Sequence, residues 1–425
     1  MGLRNDDNQF IWHPYTQMKT AQPPIQIVKG KGTYLYDDKG VKYIDAISSW
    51  WVNVHGHAHP EISNAISEQS SILEQVIFAG FTHPKAIELA NRLISKLPEG
   101  QEKIFFSDDG STSVEVAIKM ALQYWYNQNQ PKTKIIALEG AYHGDTFGSM
   151  SVSERSAFTK PFEPLLFDVV HIPFPFQEKE GLTIDALNAE LEKGDVAAMI
   201  VEPLVQGAAG MRMYSKRILN EIFRICKEKK VIIIADEVMT GFGRTGRMFA
   251  VDHIENSSDI MCLSKGLTGG FMALGVTSCT EKIYQAFLSG DHHKTFFHGH
   301  SFTANPIACA SACASLEIFD REKTWENICN ITHWQSEFCK QLSKNPSVTE
   351  ARACGTILAV EIKTDENTSY FNNLREEAWQ FFLSKNLIMR PLGNVIYVLP
   401  PYCISKKDIS LIHDAIVDFI YSLSS

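Results

Sequence analysis

The sequence is poor in the features that mark export, membrane insertion or nucleic-acid binding. No run approaches the roughly 18–20 consecutive apolar residues that cross a bilayer, and the opening MGLRNDDNQF has no apolar signal core. Asp6 stands where an N-myristoylation site wants Ser or Thr, so neither export nor lipid anchoring is expected. Positive charge is not in excess: 40 Lys+Arg stand against 49 Asp+Glu, a formal net charge of −9. That balance argues against nucleic acid as the main partner, because such binding rests on clustered cations. The nine cysteines are odd in number, scattered and never spaced C-x-x-C. Neither a disulfide framework nor a zinc ribbon is indicated, and a reducing, cytoplasmic setting is expected. There is no G-x-x-x-x-G-K-[ST] to form a P-loop, no internal repeat and no low-complexity tract.

What is present is an ordinary globular composition, 44% hydrophobic and 21% charged over 425 residues, long enough for two or three domains. From about residue 60 to about 320, helical patterns alternate with short apolar runs. The runs lie at 103–106, 134–138, 197–201, 231–235 and 259–263. They lack polar alternation, so both faces should be covered, which predicts an α/β fold with a large, mainly parallel sheet between helices. The first segment is rich in Pro, Gly and Tyr, and the last is a mixed α/β tail ending in an amphipathic stretch at 408–422. The pattern predicts a large domain over 50–324. A smaller α/β domain is expected from both chain ends, the segment 1–49 joining 325–425.

In open α/β sheets ligands collect at the carboxyl ends of the strands, so chemistry is sought just after each apolar run. After 103–106 comes Asp109-Gly110-Ser111-Thr112, opening a helix. Such a turn offers free N–H groups, hydroxyls and the positive end of the helix dipole to an anion, or serves simply as an N-cap. The 231–235 run ends in Asp236-Glu237, and the 259–263 run in Ser264-Lys265-Gly266. A buried acid and a lysine at one rim make either an ion pair or a site where a desolvated amine does nucleophilic work. Tyr142 follows the 134–138 run with a face able to stack on a planar ring. The letters of Gly241-Phe242-Gly243-Arg244-Thr245-Gly246 match a dinucleotide fingerprint but open no helix, so no Rossmann site is assigned. His55, His57, His59, His292, His293, His298 and His300 lack the acidic pattern of a zinc helix. They read as hydrogen-bonding and turn residues, and no metal site is assigned. A phosphate seat, a stacking aromatic, a buried acid and a buried lysine together are the parts needed to hold pyridoxal 5′-phosphate.

With those parts in that order, the chain resembles the class III (ω-amino-acid type) pyridoxal-phosphate aminotransferases over nearly its whole length. The markers are Asp109-Gly110-Ser111, Tyr142-His143-Gly144, Glu202-Pro203, Asp236-Glu237-Val238, Thr240 to Gly246 and Ser264-Lys265-Gly266. Trp12-His13-Pro14-Tyr15-Thr16, Ser48-Ser49-Trp50-Trp51 and Arg390-Pro391 are similar to the members that aminate 8-amino-7-oxononanoate in biotin biosynthesis. The resemblance implies a fold type I transferase and a ping-pong exchange through pyridoxamine phosphate, with S-adenosylmethionine as the expected donor and lysine left open as the other. The alternative it leaves open is an ω-aminotransferase of the ornithine or 4-aminobutyrate type. It further implies that Lys265 carries the cofactor and shuttles the proton, that Asp236 pairs with the pyridine nitrogen, and that Gly110 and Ser111 hold the phosphate. Tyr142 would stack on the ring and line the substrate site, Trp50 and Tyr15 would shape the pocket with Tyr15 tuning proton transfer, and Arg390 would take the acceptor's carboxylate. A homodimer is implied, with the loop Gly299-His300-Ser301 of the second copy completing the phosphate and substrate sites. Here the family usually has Gly-Pro-Thr; Ser301 keeps a hydroxyl, and His300 adds a backbone N–H that proline lacks.

Overall fold

The structure, a computed structural model, describes residues 3–423. Its centre is a seven-stranded sheet in the order Gln101–Ser107, Gly275–Thr280, Ile260–Leu263, Ile232–Asp236, Val196–Val201, Lys134–Leu138, Val170–Ile172. Gly275–Thr280 runs against the other six. The uninterrupted apolar runs form these strands because both faces are covered: every residue of Val196–Val201, Ile232–Asp236 and Ile260–Leu263 is buried. Alternate side chains serve opposite layers. Ile233 and Ala235 pack into one hydrophobic cluster, while Ile232 and Ile234 pack into another with Val114, Ala117 and Trp125 of the helix Gly110–Asn127. On the first face lies the helix Lys216–Glu228, whose apolar stripe includes Ile218, Ile222 and Phe223. The parallel strands all deliver their carboxyl ends to one rim, with Asp236 in register with Cys262.

The chain ends meet beside this sheet. Ile27–Lys31, Tyr34–Asp37 and Lys42–Asp45 form an antiparallel ribbon, and Leu387–Ile388 joins it parallel to Lys42–Asp45, pairing Leu387 with Ile44. A second small sheet joins Val348–Cys354, Ile357–Ile362 and Val395–Val398. The amphipathic tail is the helix Lys406–Ser422, started by the Ser405 side chain accepting from the Asp408 N–H. Among the described residues no helix is long and apolar enough to cross a membrane. Cys309 and Cys313 are buried on one face of the helix Pro306–Arg321, and Gly241 to Gly246 lies in turns.

One short element is strained. In Ser48–Trp51, which links the ribbon to the large sheet, Ser48, Ser49 and Trp51 have φ of 53°, 60° and 67°, left-handed values that cost non-glycine residues about 1–3 kcal/mol each. The buried carboxylate of Asp45 holds it. Asp45 Oδ1 accepts from the Ile47 N–H at 3.1 Å, and Oδ2 accepts from the Ser49 N–H at 2.7 Å. His57 Nε2 lies 2.8 Å from that same Oδ2. The fully buried Arg244 ties the far end, donating to the Trp51 and Pro400 carbonyls at 3.2 and 2.9 Å. This turn carries both neighbouring tryptophans to the rim of the sheet.

Candidate active site

At the rim lies a cavity of about 440 Å³ whose lining includes Gly110, Ser111, Tyr142, Asp236, Trp51 and Lys265. Asp236 is the last residue of its strand, and its carboxylate bonds to His143 rather than to Lys265: His143 Nδ1 is 2.7 Å from Oδ2. A carboxylate only accepts, so Nδ1 carries the proton. Oδ1 accepts from the Val238 N–H at 3.1 Å. His143 is itself fixed by its N–H donating to Ser153 Oγ at 2.8 Å, and its Nε2 is buried without a partner. A carboxyl group braced from behind is thereby presented to the cavity.

Lys265 follows the Ile260–Leu263 strand with a φ of 45°, and its Nζ lies 4.5 Å from the Trp51 ring centroid. Burial pushes this amine down to about 8, against the opposing pull of Asp236 and Glu202. Glu202 is fully enclosed and accepts from the Tyr142 N–H at 3.1 Å and the Gly207 N–H at 2.9 Å. Burial, with Asp236 adding to it and His143 opposing, raises its carboxyl to about 7. The opposite wall is the start of the helix Gly110–Asn127, capped by Asp109, whose side chain accepts from the Thr112 N–H at 2.7 Å. The first-turn N–H groups of a helix have no partner within it. Gly110 leaves room at this point, since a Cβ there would stand 2.6 Å from Val238 Cγ1. An acid, a neutralisable amine and a helix N-terminus around one cavity fit a planar, phosphorylated, basic ring carrying an aldehyde.

Beyond Tyr142 a chain of aromatic contacts leads away from the cavity. The Tyr15 hydroxyl donates to Asp145 Oδ2 at 2.6 Å and lies 3.4 Å from the Tyr142 hydroxyl. Burial first, then the bond to Asp145, lifts the Tyr15 phenol to about 12, so it stays protonated. The Trp50 ring packs edge-on against Tyr15 at 5.6 Å, and the Arg390 guanidinium lies 4.9 Å from the Trp50 centroid.

Of the residues singled out from sequence, Gly110, Ser111, Tyr142, Asp236 and Lys265 share the cavity; Tyr15 meets its lining at Tyr142, with Trp50 against Tyr15 and Arg390 against Trp50. Gly299, His300 and Ser301 do not line it; they sit on a loop where the Ser301 carbonyl accepts from Gln75 Nε2 at 2.6 Å. His300 Nε2 is 3.9 Å from Asp108, a residue of the cavity's edge. Sequence reasoning gave no role to His143, Asp145 or Trp51. The first two are hinted at only by their place after the 134–138 run, and Trp51 by its adjacency to Trp50.

The sequence profile of the class III aminotransferases matches residues 15–420. The chain belongs to this family. Among its relatives, the adenosylmethionine-8-amino-7-oxononanoate aminotransferase of Synechococcus elongatus is 48% identical over 419 residues, covering 96% of this chain and 98% of the relative. The enzyme of the same name from Geobacter sulfurreducens is 39% identical, covering 99% and 98%. The crystal structure of that enzyme from Methanocaldococcus jannaschii superposes with a TM-score of 0.94 at 37% identity, covering 99% of this chain and 98% of that one. The cavity therefore lies in a class III aminotransferase fold.

Proposed function

We propose that this protein transfers an amino group to 8-amino-7-oxononanoate, giving 7,8-diaminononanoate in biotin biosynthesis, with pyridoxal phosphate as cofactor and S-adenosylmethionine as donor. The observation that carries the reading is the joint geometry of one cavity. A braced acid, an amine lowered to about 8 and a helix N-terminus surround it, and an arginine is joined to its lining through Trp50, Tyr15 and Tyr142. The activity named for the relatives favours these substrates over ornithine or 4-aminobutyrate. Bound pyridoxal phosphate supplies an electron sink that acidifies the C–H bond beside an amine.

The rest is work for this chain's residues. Asp236, aimed by His143, would hold a proton on the ring nitrogen. Gly110 and Ser111 would take the phosphate, and Tyr142 would lie against the ring. Lys265 would anchor the aldehyde and then, as a free amine, move the substrate's proton. Trp51 would shield that amine from water, and Tyr15 would offer a protonated hydroxyl beside Tyr142. Arg390 would grip the acceptor's carboxylate with two parallel N–H bonds. We also read 50–324 as the cofactor-binding domain, with 1–49 and 325–425 as the small one. The working unit we infer is a cytoplasmic homodimer in which Gly299, His300 and Ser301 of a second copy complete the site. Nine free cysteines and the apolar surface around that loop support this. The test is the absorbance of the pyridoxal-phosphate-loaded protein on adding 7,8-diaminononanoate. Bleaching of the yellow band supports the reading. A response to ornithine or 4-aminobutyrate alone would move the protein to the alternative, and absence of the band would remove Lys265 from its role.

A further inference from the structure

Five side chains from five separate stretches of chain close into a ring that meets the cavity lining where Tyr15 touches Tyr142. Tyr15 packs on Trp50 at 5.6 Å, Trp50 on the Arg390 guanidinium at 4.9 Å, and Arg390 Nη2 donates to the Tyr370 hydroxyl at 3.2 Å. Tyr370 then packs edge-on against Phe158 at 5.0 Å, and Phe158 returns to Tyr15 at 5.9 Å. Arg390 is the only cation of the ring, and among the described residues no carboxylate pairs with it. Tyr370 is firmly mounted. Its ring faces the Arg375 guanidinium at 4.7 Å. Its segment is pinned by Thr368 Oγ1, which donates to Glu361 Oε1 at 2.7 Å and accepts from Asn394 Nδ2 at 3.1 Å.

We propose that Tyr370 is a positioning residue for Arg390, orienting the guanidinium so that the site selects an acceptor with a terminal carboxylate. This rests on the acceptor reading given above. A carboxylate in place of the phenol would also hold the arginine, but it would neutralise the charge and compete with the substrate. A neutral hydroxyl takes one of the five N–H donors and leaves the remaining fork, with its full charge, for the ligand. A bidentate grip depends on the plane of the guanidinium as well as its charge, so an arginine resting on Trp50 alone would be free to turn.

The test compares nonanoate with nonanamide for binding to the cofactor-loaded protein by calorimetry, alongside steady-state kinetics with 8-amino-7-oxononanoate. Tyr370→Phe keeps the ring packing and removes one oxygen. It should weaken nonanoate binding about tenfold, leave nonanamide binding unchanged, and raise KM for the acceptor with kcat within about twofold. On an Arg390→Ala background, which itself removes the preference for the acid, Tyr370→Phe should add nothing. Equal losses for acid and amide, or no loss, would overturn the proposal. A wild-type protein that prefers nonanoate through Tyr370 yet does not turn over 8-amino-7-oxononanoate would support the positioning role and refute the assigned reaction.

Discussion

At the scale of single residues, the site depends on where two protons sit. Burial against Trp51 lowers the Lys265 amine to about 8 from an ordinary value of 10.5, so about half of it is neutral at pH 8, where a free lysine is almost wholly charged. Capture of pyridoxal phosphate by the apoprotein, followed by absorbance, should therefore speed up with pH and level off above about 8. A midpoint near that of free lysine would mean the cavity is wet. The same shift bears on stability. Between about 8 and 10.5 the unfolded chain binds a proton that the folded one does not, so this group's contribution to apoprotein stability rises with pH across that window. Lys265→Ala should keep the fold and abolish turnover. Asp236→Asn keeps the shape but loses the charge that His143 braces. It should bind the cofactor weakly and slow turnover by about 10²–10³-fold, the usual cost of losing one aimed electrostatic group; near-wild-type activity would remove the ring-nitrogen role.

At the scale of elements, the Ser48–Trp51 turn is the clearest case of strain held by its surroundings. Three left-handed residues are kept by one buried carboxylate, Asp45, which meets the N–H groups of Ile47 and Ser49 and the imidazole of His57. Asp45→Asn turns an acceptor into a partial donor facing those groups. It should cost about 2–3 kcal/mol in denaturant unfolding, as expected for hydrogen bonds to a charge, and shift tryptophan fluorescence as Trp50 and Trp51 loosen. An unchanged unfolding midpoint would mean that Arg244 and the Ser48–Leu399 bond carry the turn. Elements of this kind separate what is legible in a sequence from what is not. The central strands are legible because burial on both faces leaves unbroken apolar runs. Asp236 and Lys265 are legible because charges at the ends of such runs need a reason. Tyr15 and Arg390 are legible only through the family resemblance, and the bond between His143 and Asp236 crosses 93 residues of chain. The ring of Tyr15, Trp50, Arg390, Tyr370 and Phe158 leaves no periodic trace. Loops bring Phe158 and Tyr370 together, and loop placement is a product of tertiary packing rather than of local pattern.

At the scale of the whole molecule, the loop carrying Gly299, His300 and Ser301 is built to face outward. Its Ser301 carbonyl and the nearby Asn305 side chain bond to Glu74 and Gln75. Around them Ile72, Ile77, Phe81, Phe297 and Phe302 are exposed, with Phe297 at 73%. Exposed apolar side chains of this kind favour the second copy proposed above. If a second copy covers them, the Ser301 hydroxyl can serve the neighbour's cavity, so each active site would draw Lys265 from one chain and Ser301 from the other. Two variants test this. Lys265→Ala removes the amine, and Ser301→Asp sets a carboxylate against the phosphate seat while altering only an exposed side chain, so both should fold and both should be inactive. Co-expressed in equal amounts, they form hybrid pairs with one intact site, in which Lys265 and Ser301 come from different chains. Random pairing then restores about a quarter of the wild-type activity per subunit. If every hybrid stays inactive, the phosphate seat is completed within one chain, and the outward-facing loop has some other purpose.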